Sequence, residues 1–188
     1  MPLILEGIVT TVNLAGDVNI APMGPVVDRD VTELTLRPFR TATTYRNLKA
    51  VPEGVFHVTD DVELLAAAAI GRSVSPPLRP ARVVRGSLLA EACRWFEFRV
   101  IDCDERDERT TLKCQVVSRG EGRPFFGFNR AKHAVLEGAI LATRLNILPR
   151  EEIDREFARL QTIVEKTAGD SEWRAWTLLT DFLASTRH

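Results

Sequence analysis

Apolar and polar residues alternate in short runs through the first two thirds of the chain, then recur at three- and four-residue spacing to the C-terminus. The first pattern predicts strands and the second predicts helices. Strands are expected over residues 7–13 and 17–27, joined as a hairpin through Leu14, Ala15 and Gly16. Others are expected at 31–37, 54–59 and 81–86. Residues 95–101 and 110–118 read as a long hairpin around the charged turn 102–109, and Gly120 and Gly122 end the β region.

Two short helices interrupt the strands. Residues 41–51 contain no Gly or Pro, and the hydroxyls of Thr43 and Thr44 at their start read as an N-cap. Asp60 or Asp61 caps a second helix that stops at Gly71, and Pro76, Pro77 and Pro80 then make an extended loop. Helices at 129–146, 149–168 and 170–185 follow, with Glu151, Glu152 and Asp154 suiting the positive end of the middle one. The order is that of a mainly β protein, a small barrel with a helical appendage rather than an alternating βαβ sheet. The expected division is a barrel domain at 1–125 and a helical C-terminal subdomain at 126–188, packed on the barrel. No Gly-rich Rossmann or P-loop signature is present.

Composition narrows the function classes. The chain has 188 residues, a net charge of −1, 45% hydrophobic and 27% charged residues, which excludes global disorder and a uniformly basic nucleic-acid grip. The longest candidate apolar stretch, 62–70, falls far short of the ~20 residues that span a bilayer. With no basic, apolar leader pattern at its start, the chain is expected in the cytoplasm, without nucleic-acid or membrane partners. Cys93, Cys103 and Cys114 are odd in number and form no CxxC pair, so they read as ordinary thiols rather than disulfides or metal ligands.

Local charge changes the picture. Between Glu33 and Glu53 lies no acid, while Arg37, Arg40, Arg46 and Lys49 share the window with Thr35, Thr41, Thr43, Thr44 and Asn47. A helix N-terminus, short hydroxyls and guanidinium forks together are what a phosphate requires. A solvated loop with a capped helix fits the same residues. A second acid-free window carries Arg72, Arg79, Arg82 and Arg85, either a solvated loop or a docking surface for an anionic substrate.

The run Arg40, Thr41, Ala42, Thr43, Thr44, Tyr45, Arg46, Asn47, followed by Gly54, Val55 and Phe56, resembles the flavin-reductase-like branch of the FMN-binding split barrels. Thr44 to Asn47 matches the Thr-x-x-Asn step of that branch, and Asn19, Ile20, Ala21, Pro22 and Met23 look like its Asn-x-Ala-Pro strand. The whole chain is similar to an uncharacterised archaeal and bacterial group of these proteins that also shows a segment like 128–137. The resemblance implies a homodimer of six-stranded split barrels with FMN at the subunit interface. Its phosphate would lie at Arg40, Thr41, Thr43, Thr44 and Asn47, and the strand carrying Asn19, Ala21, Pro22 and Met23 beside its ring. Pro22, lacking an N–H, suits a strand edge that faces a ligand. Tyr45 either stacks on a ring or covers the barrel. The implied function is a flavin-dependent hydride or electron transfer on a small-molecule substrate. A non-enzymatic FMN carrier or sensor, or a barrel for another phosphorylated ligand, is the alternative.

Other residues read more plainly. Asn129 is an N-cap, with Arg130 or His133 at the flavin pocket as a second reading. His133 and Glu137 share a helix face as a surface pair, and His57 reads as structural or exposed. Trp95, Phe96 and Phe98 belong to the core or a dimer surface, and Trp173 and Trp176 pack the last helix onto the body. No nucleophile–base arrangement is discernible by spacing, as befits a protein whose cofactor carries the chemistry.

Overall fold

A computed structural model describes residues 3–186, which form two compact units. Among the described residues, the first comprises 3–59 and 76–125, and the second 60–75 and 126–186.

The first unit holds strands β1 (Leu3–Ile4), β2 (Gly7–Val12), β3 (Val18–Met23), β4 (Val26–Val27) and β5 (Glu33–Leu36). Helix α1 (Thr43–Ala50) follows, then β6 (Glu53–Val58), β7 (Leu78–Pro80), β8 (Ser87–Leu89), β9 (Arg94–Asp104) and β10 (Thr111–Glu121). Eight strands make one antiparallel sheet in the order β1-β4-β5-β10-β9-β6-β2-β3, and β7 pairs with β8 as a separate ribbon. Eight strands therefore stand where six were expected. The expected strand 17–27 is broken at Gly24 and Pro25, because a proline offers no N–H to the ladder, and its end becomes β4 against β1 and β5.

One core cluster draws side chains from both halves of the sheet: Val9 and Phe56 from one side, Val27, Leu34 and Leu36 from the other, with Phe98, Leu112 and Cys114 between. A flat sheet could not bring these together, so the sheet curls around them. Register shifts in the β9–β10 pair, between Lys113 and Cys114 and between Val116 and Ser118, add the local twist that curling needs. The β2–β3 hairpin forms as expected, with Gly16 at φ 96° in its turn and Asn13 and Asp17 bonded to each other.

The residues expected as a strand at 81–86 form instead the turn between β7 and β8. The cause lies on another strand. Glu97 of β9 is fully buried, and its carboxylate accepts the backbone N–H groups of Arg82, Val83 and Val84 at 2.7–3.2 Å. Those N–H groups are thereby withdrawn from any ladder.

The second unit holds α2 (Val62–Ala69), α3 (Arg130–Ala142), α4 (Arg150–Thr167) and α5 (Asp170–Ser185). Asp61 caps α2 by accepting from Leu64 N at 3.0 Å, and Asn129 caps α3 by accepting from Lys132 N at 3.1 Å. Residues 60–75 thus group with the helices, although the sequence reading placed them in the 1–125 domain. Trp176 is buried against Phe157 at a ring separation of 5.0 Å, whereas Trp173 is partly exposed. Lys132 bonds Glu172 at 2.9 Å and the Asp60 carbonyl at 2.8 Å, which ties α3 to α5 and to the start of α2. No helix among the described residues is long and apolar enough to cross a membrane.

A candidate phosphate cradle at the start of helix α1

Helix α1 begins differently from the sequence expectation. Its N-cap residue is Ala42, with Thr43 and Thr44 already inside the helix, and no side chain caps it. An alanine cap leaves the first N–H groups without the usual side-chain acceptor, at a cost near 1 kcal/mol relative to Ser or Asp. The first turn also contains no acid.

Arg46 closes over this end. Its guanidinium donates to the Thr41 carbonyl at 2.7 Å and to Thr43 Oγ1 at 2.9 Å. A cation there is held against the positive end of the helix dipole, an arrangement that an anion would relieve. Arg40 is exposed just upstream, held by its backbone N–H on the Glu108 carbonyl at 2.9 Å. Lys49, by contrast, has its charge matched by Glu105. The unmatched positive charge of the helix therefore lies at its N-terminal end.

The supports of the helix come from three directions. Thr44 Oγ1 accepts from Asn19 Nδ2 at 3.1 Å, which leaves the hydroxyl proton of Thr44 free to donate. Asn47 is buried and donates to Thr11 Oγ1 at 3.1 Å, so one of its donors fastens the helix to β2. Tyr45 donates its hydroxyl to Glu105 at 2.8 Å, so its polar end is engaged by the β9–β10 turn. Lys49, Tyr45 and Cys103 together hold the Glu105 carboxyl down at about 2, well below its ordinary range. The same turn is fastened to the segment before α1, with Thr110 Oγ1 on the Pro38 carbonyl at 2.9 Å and Arg109 Nε on the Arg37 carbonyl at 2.9 Å.

Of the residues singled out from the sequence, the structure gathers Thr41, Thr43 and Thr44 around one helix end, with Arg40 adjoining and Asn19 bonded to Thr44. Asn19, Ala21 and Met23 alternate onto one face of β3, and Met23 packs on the barrel core. Pro22 pairs with Ile8 on β2, the one neighbour of β3 in the sheet, so β3 is an edge strand as its proline required. Arg130 belongs to the helical unit, where it is the exposed first residue of α3. His133 is exposed there and stacks on Phe128 at 6.0 Å. The sequence placed Arg46 in the basic window without assigning it to the phosphate, and it did not single out Glu105, whose contact with the helix spans 60 positions to Tyr45 and left no local signal.

His57 is fully buried, not exposed. Its Nδ1 bonds the Ile8 carbonyl at 3.2 Å and its Nε2 accepts from Leu89 N at 3.1 Å, which requires the neutral ring protonated on Nδ1. Burial pushes its pKa down to about 4. It is a strut between β2, β6 and β8. Cys93 and Cys114 are buried and Cys103 exposed, all three unbridged. A separate cleft of about 790 Å³ in the helical unit is lined by Ala69, Ala142, Phe182, Arg150 and Asp154. Its two charges are paired with each other at 2.9 Å, and it presents no acceptor-seeking group comparable to the start of α1.

Comparison with known proteins follows the same lines. The family described as "Protein of unknown function (DUF447) N-terminal domain" matches residues 5–123, and its companion, "Protein of unknown function (DUF447)", matches residues 129–181. No functionally curated protein matches the chain. Among solved structures, an FMN-bound DUF447 protein from Methanosarcina mazei is similar over 97% of this chain and 96% of its own, with a TM-score of 0.84 and 22% identity. The styrene monooxygenase flavin reductase of Pseudomonas putida is similar over 64% of this chain and 82% of its own, at a TM-score of 0.52 and 13% identity. An FMN-binding protein from Thermus thermophilus covers 64% of this chain and 76% of its own, at a TM-score of 0.51 and 16% identity. At these identities the likeness establishes a shared fold.

Proposed function

Since the chain belongs to the DUF447 family, we propose that it is an FMN-binding flavoprotein of the split-barrel type, which holds the FMN phosphate at the start of α1. The observation that carries this reading is the uncapped, acid-free N-terminus of α1 with Arg46 folded over it. The FMN-bound relative of the same fold supports the identity of the ligand.

The residues present fit the group. Thr43 and Thr44 supply hydroxyls, the first turn supplies N–H groups, and Arg40 and Arg46 supply the charge that a phosphate dianion matches. Asn19 and Asn47 position the hydroxyl and the helix rather than supplying charge. The open edge of β3 offers backbone groups to the polar rim of a flavin ring. When bound, FMN would supply hydride or electron transfer. The chain's own contribution is then binding, orientation and a positive field at the phosphate.

We further propose that two copies form the working unit, that a small-molecule substrate or electron donor reaches the flavin, and that the protein acts in the cytoplasm. The three unbridged thiols suit a reducing compartment. The test is to titrate the full chain with FMN by flavin fluorescence, then mix the complex anaerobically with NADH, NADPH or a reduced deazaflavin. Saturable binding followed by bleaching of the flavin absorbance is expected of the oxidoreductase. Binding without reduction by any donor would favour a carrier or sensor, and no binding would overturn the FMN reading.

A further inference from the structure

A second constellation lies on the outer face of the first unit, under the β7–β8 ribbon, and the FMN reading does not use it. Trp95 of β9 is 4% exposed, and its indole Nε1 is the one buried side-chain polar atom among the described residues without a hydrogen-bond partner. An unmet buried N–H costs about 1–3 kcal/mol, and native proteins rarely tolerate one without a reason. Two guanidinium groups stand against the same ring, Arg79 at 5.9 Å and Arg82 at 5.7 Å from its centre. They cannot be more than about 12 Å apart, and neither forms an ion pair with a carboxylate among the described residues. Arg79 makes one bond, to the Ala90 carbonyl at 2.8 Å, and Arg82 none through its side chain.

The turn between β7 and β8 is held by acceptors on other strands. Glu97 gathers the N–H groups of Arg82, Val83 and Val84, and Glu53 accepts from Arg85 N at 2.7 Å. The Glu97 carboxyl group lies beneath that turn, fully buried, while both guanidinium groups belong to exposed residues. The six-membered ring of the indole lies against Gly120, where any Cβ would overlap Cζ2 and Cε2. Gly120 is half-buried, and with no side chain of its own it seats the ring.

We propose that Arg79, Arg82 and the indole N–H of Trp95 form a binding site for an oxyanion, the carboxylate or phosphate group of a small molecule. Two forked cations and a neutral donor around one flat ring match a planar or tetrahedral anion. The exposed arginine side chains swing aside from the ring to admit it and close on it. The ribbon is thereby a docking element for the acidic end of a small molecule, and the site does not depend on FMN.

The experiment is an indole ¹H–¹⁵N spectrum of the full chain, whose three tryptophans give three signals, with Trp95 assigned through Trp95→Phe. Inorganic phosphate and acetate are titrated in turn, against sodium chloride at matched ionic strength. A saturable downfield shift of the Trp95 signal is expected with one or both oxyanions and not with chloride. The shift identifies which oxyanion the site takes. In Arg79→Gln/Arg82→Gln, with an unchanged backbone spectrum, saturation weakens at least tenfold. No saturable shift, an equal shift with chloride, or an unchanged titration in the double variant would overturn the proposal. If the double variant fails to fold, Arg82→Gln alone, which removes no hydrogen bond, must weaken binding at least threefold.

Discussion

His57 is the residue whose chemistry most constrains the fold. Both ring nitrogens are bonded inside the unit, and burial holds its pKa at about 4 against an ordinary 6.5. The unfolded chain takes up a proton near pH 6.5 and the folded chain only near pH 4, so this contribution is complete above 6.5 and is lost as pH falls through that window. The expected loss is about 3 kcal/mol. The lowered carboxylates of Asp28, Asp104 and Glu105 lose their contributions as pH falls below their ordinary values of 3.8 to 4.5, so the part of the window above those values belongs to the histidine. Urea unfolding midpoints measured from pH 7 to pH 4.5 should fall steadily in the native chain and stay flatter in His57→Gln. At the cradle, Thr44→Ala combined with Asn47→Ala should weaken FMN binding by roughly 1–3 kcal/mol. Asn47→Ala alone should also lower Tm, because it severs the tie to Thr11. Calorimetry on the single and double variants separates the two effects. The family resemblance pointed to Thr44 and Asn47 together, but their division of labour depends on β2 and β3 partners remote in the chain.

At the scale of the element, the start of α1 carries an unfavourable cap and an unfavourable cation at once. Ala42→Asp would correct both, and it should stabilise the unliganded chain by about 1 kcal/mol. The same carboxylate would repel a phosphate, so FMN affinity should fall about tenfold while riboflavin affinity stays within twofold. Thermal unfolding and flavin titration of this variant check both halves. Gly120→Ala makes a comparable test of the β9–β10 pair. Overlap with the Trp95 ring should cost about 1–3 kcal/mol, read as a lower urea midpoint. The helix itself was legible, since its residues include no Gly or Pro and hydroxyls stand at its start. Its true cap was not, because Thr43 and Thr44 are cap formers by type and only the observed backbone places Ala42 there. The 81–86 turn was misread for a related reason: its N–H groups answer to Glu97, on another strand.

For the whole molecule, the mainly β class and the trailing helices followed from hydrophobic period alone, and the sheet and helices carry them out. What the period could not supply was pairing. The break at Gly24 and Pro25 adds strands to the sheet, and the excursion 60–75 joins the helices rather than the barrel. Both depend on partners distant in sequence. The edge strand β3 is half-buried along its length with one neighbour in the sheet, an edge that natural proteins usually cover. Sedimentation equilibrium should therefore report a dimer at micromolar concentration, and a monomer would remove the second copy from the functional account. The central claim is a phosphate held at the start of α1, and the most direct test compares FMN with riboflavin on the same chain. Riboflavin carries the same ring and lacks the phosphate. Isothermal titration should give FMN at least tenfold tighter, with the difference shrinking as salt rises. Equal affinities for the two flavins would contradict the account.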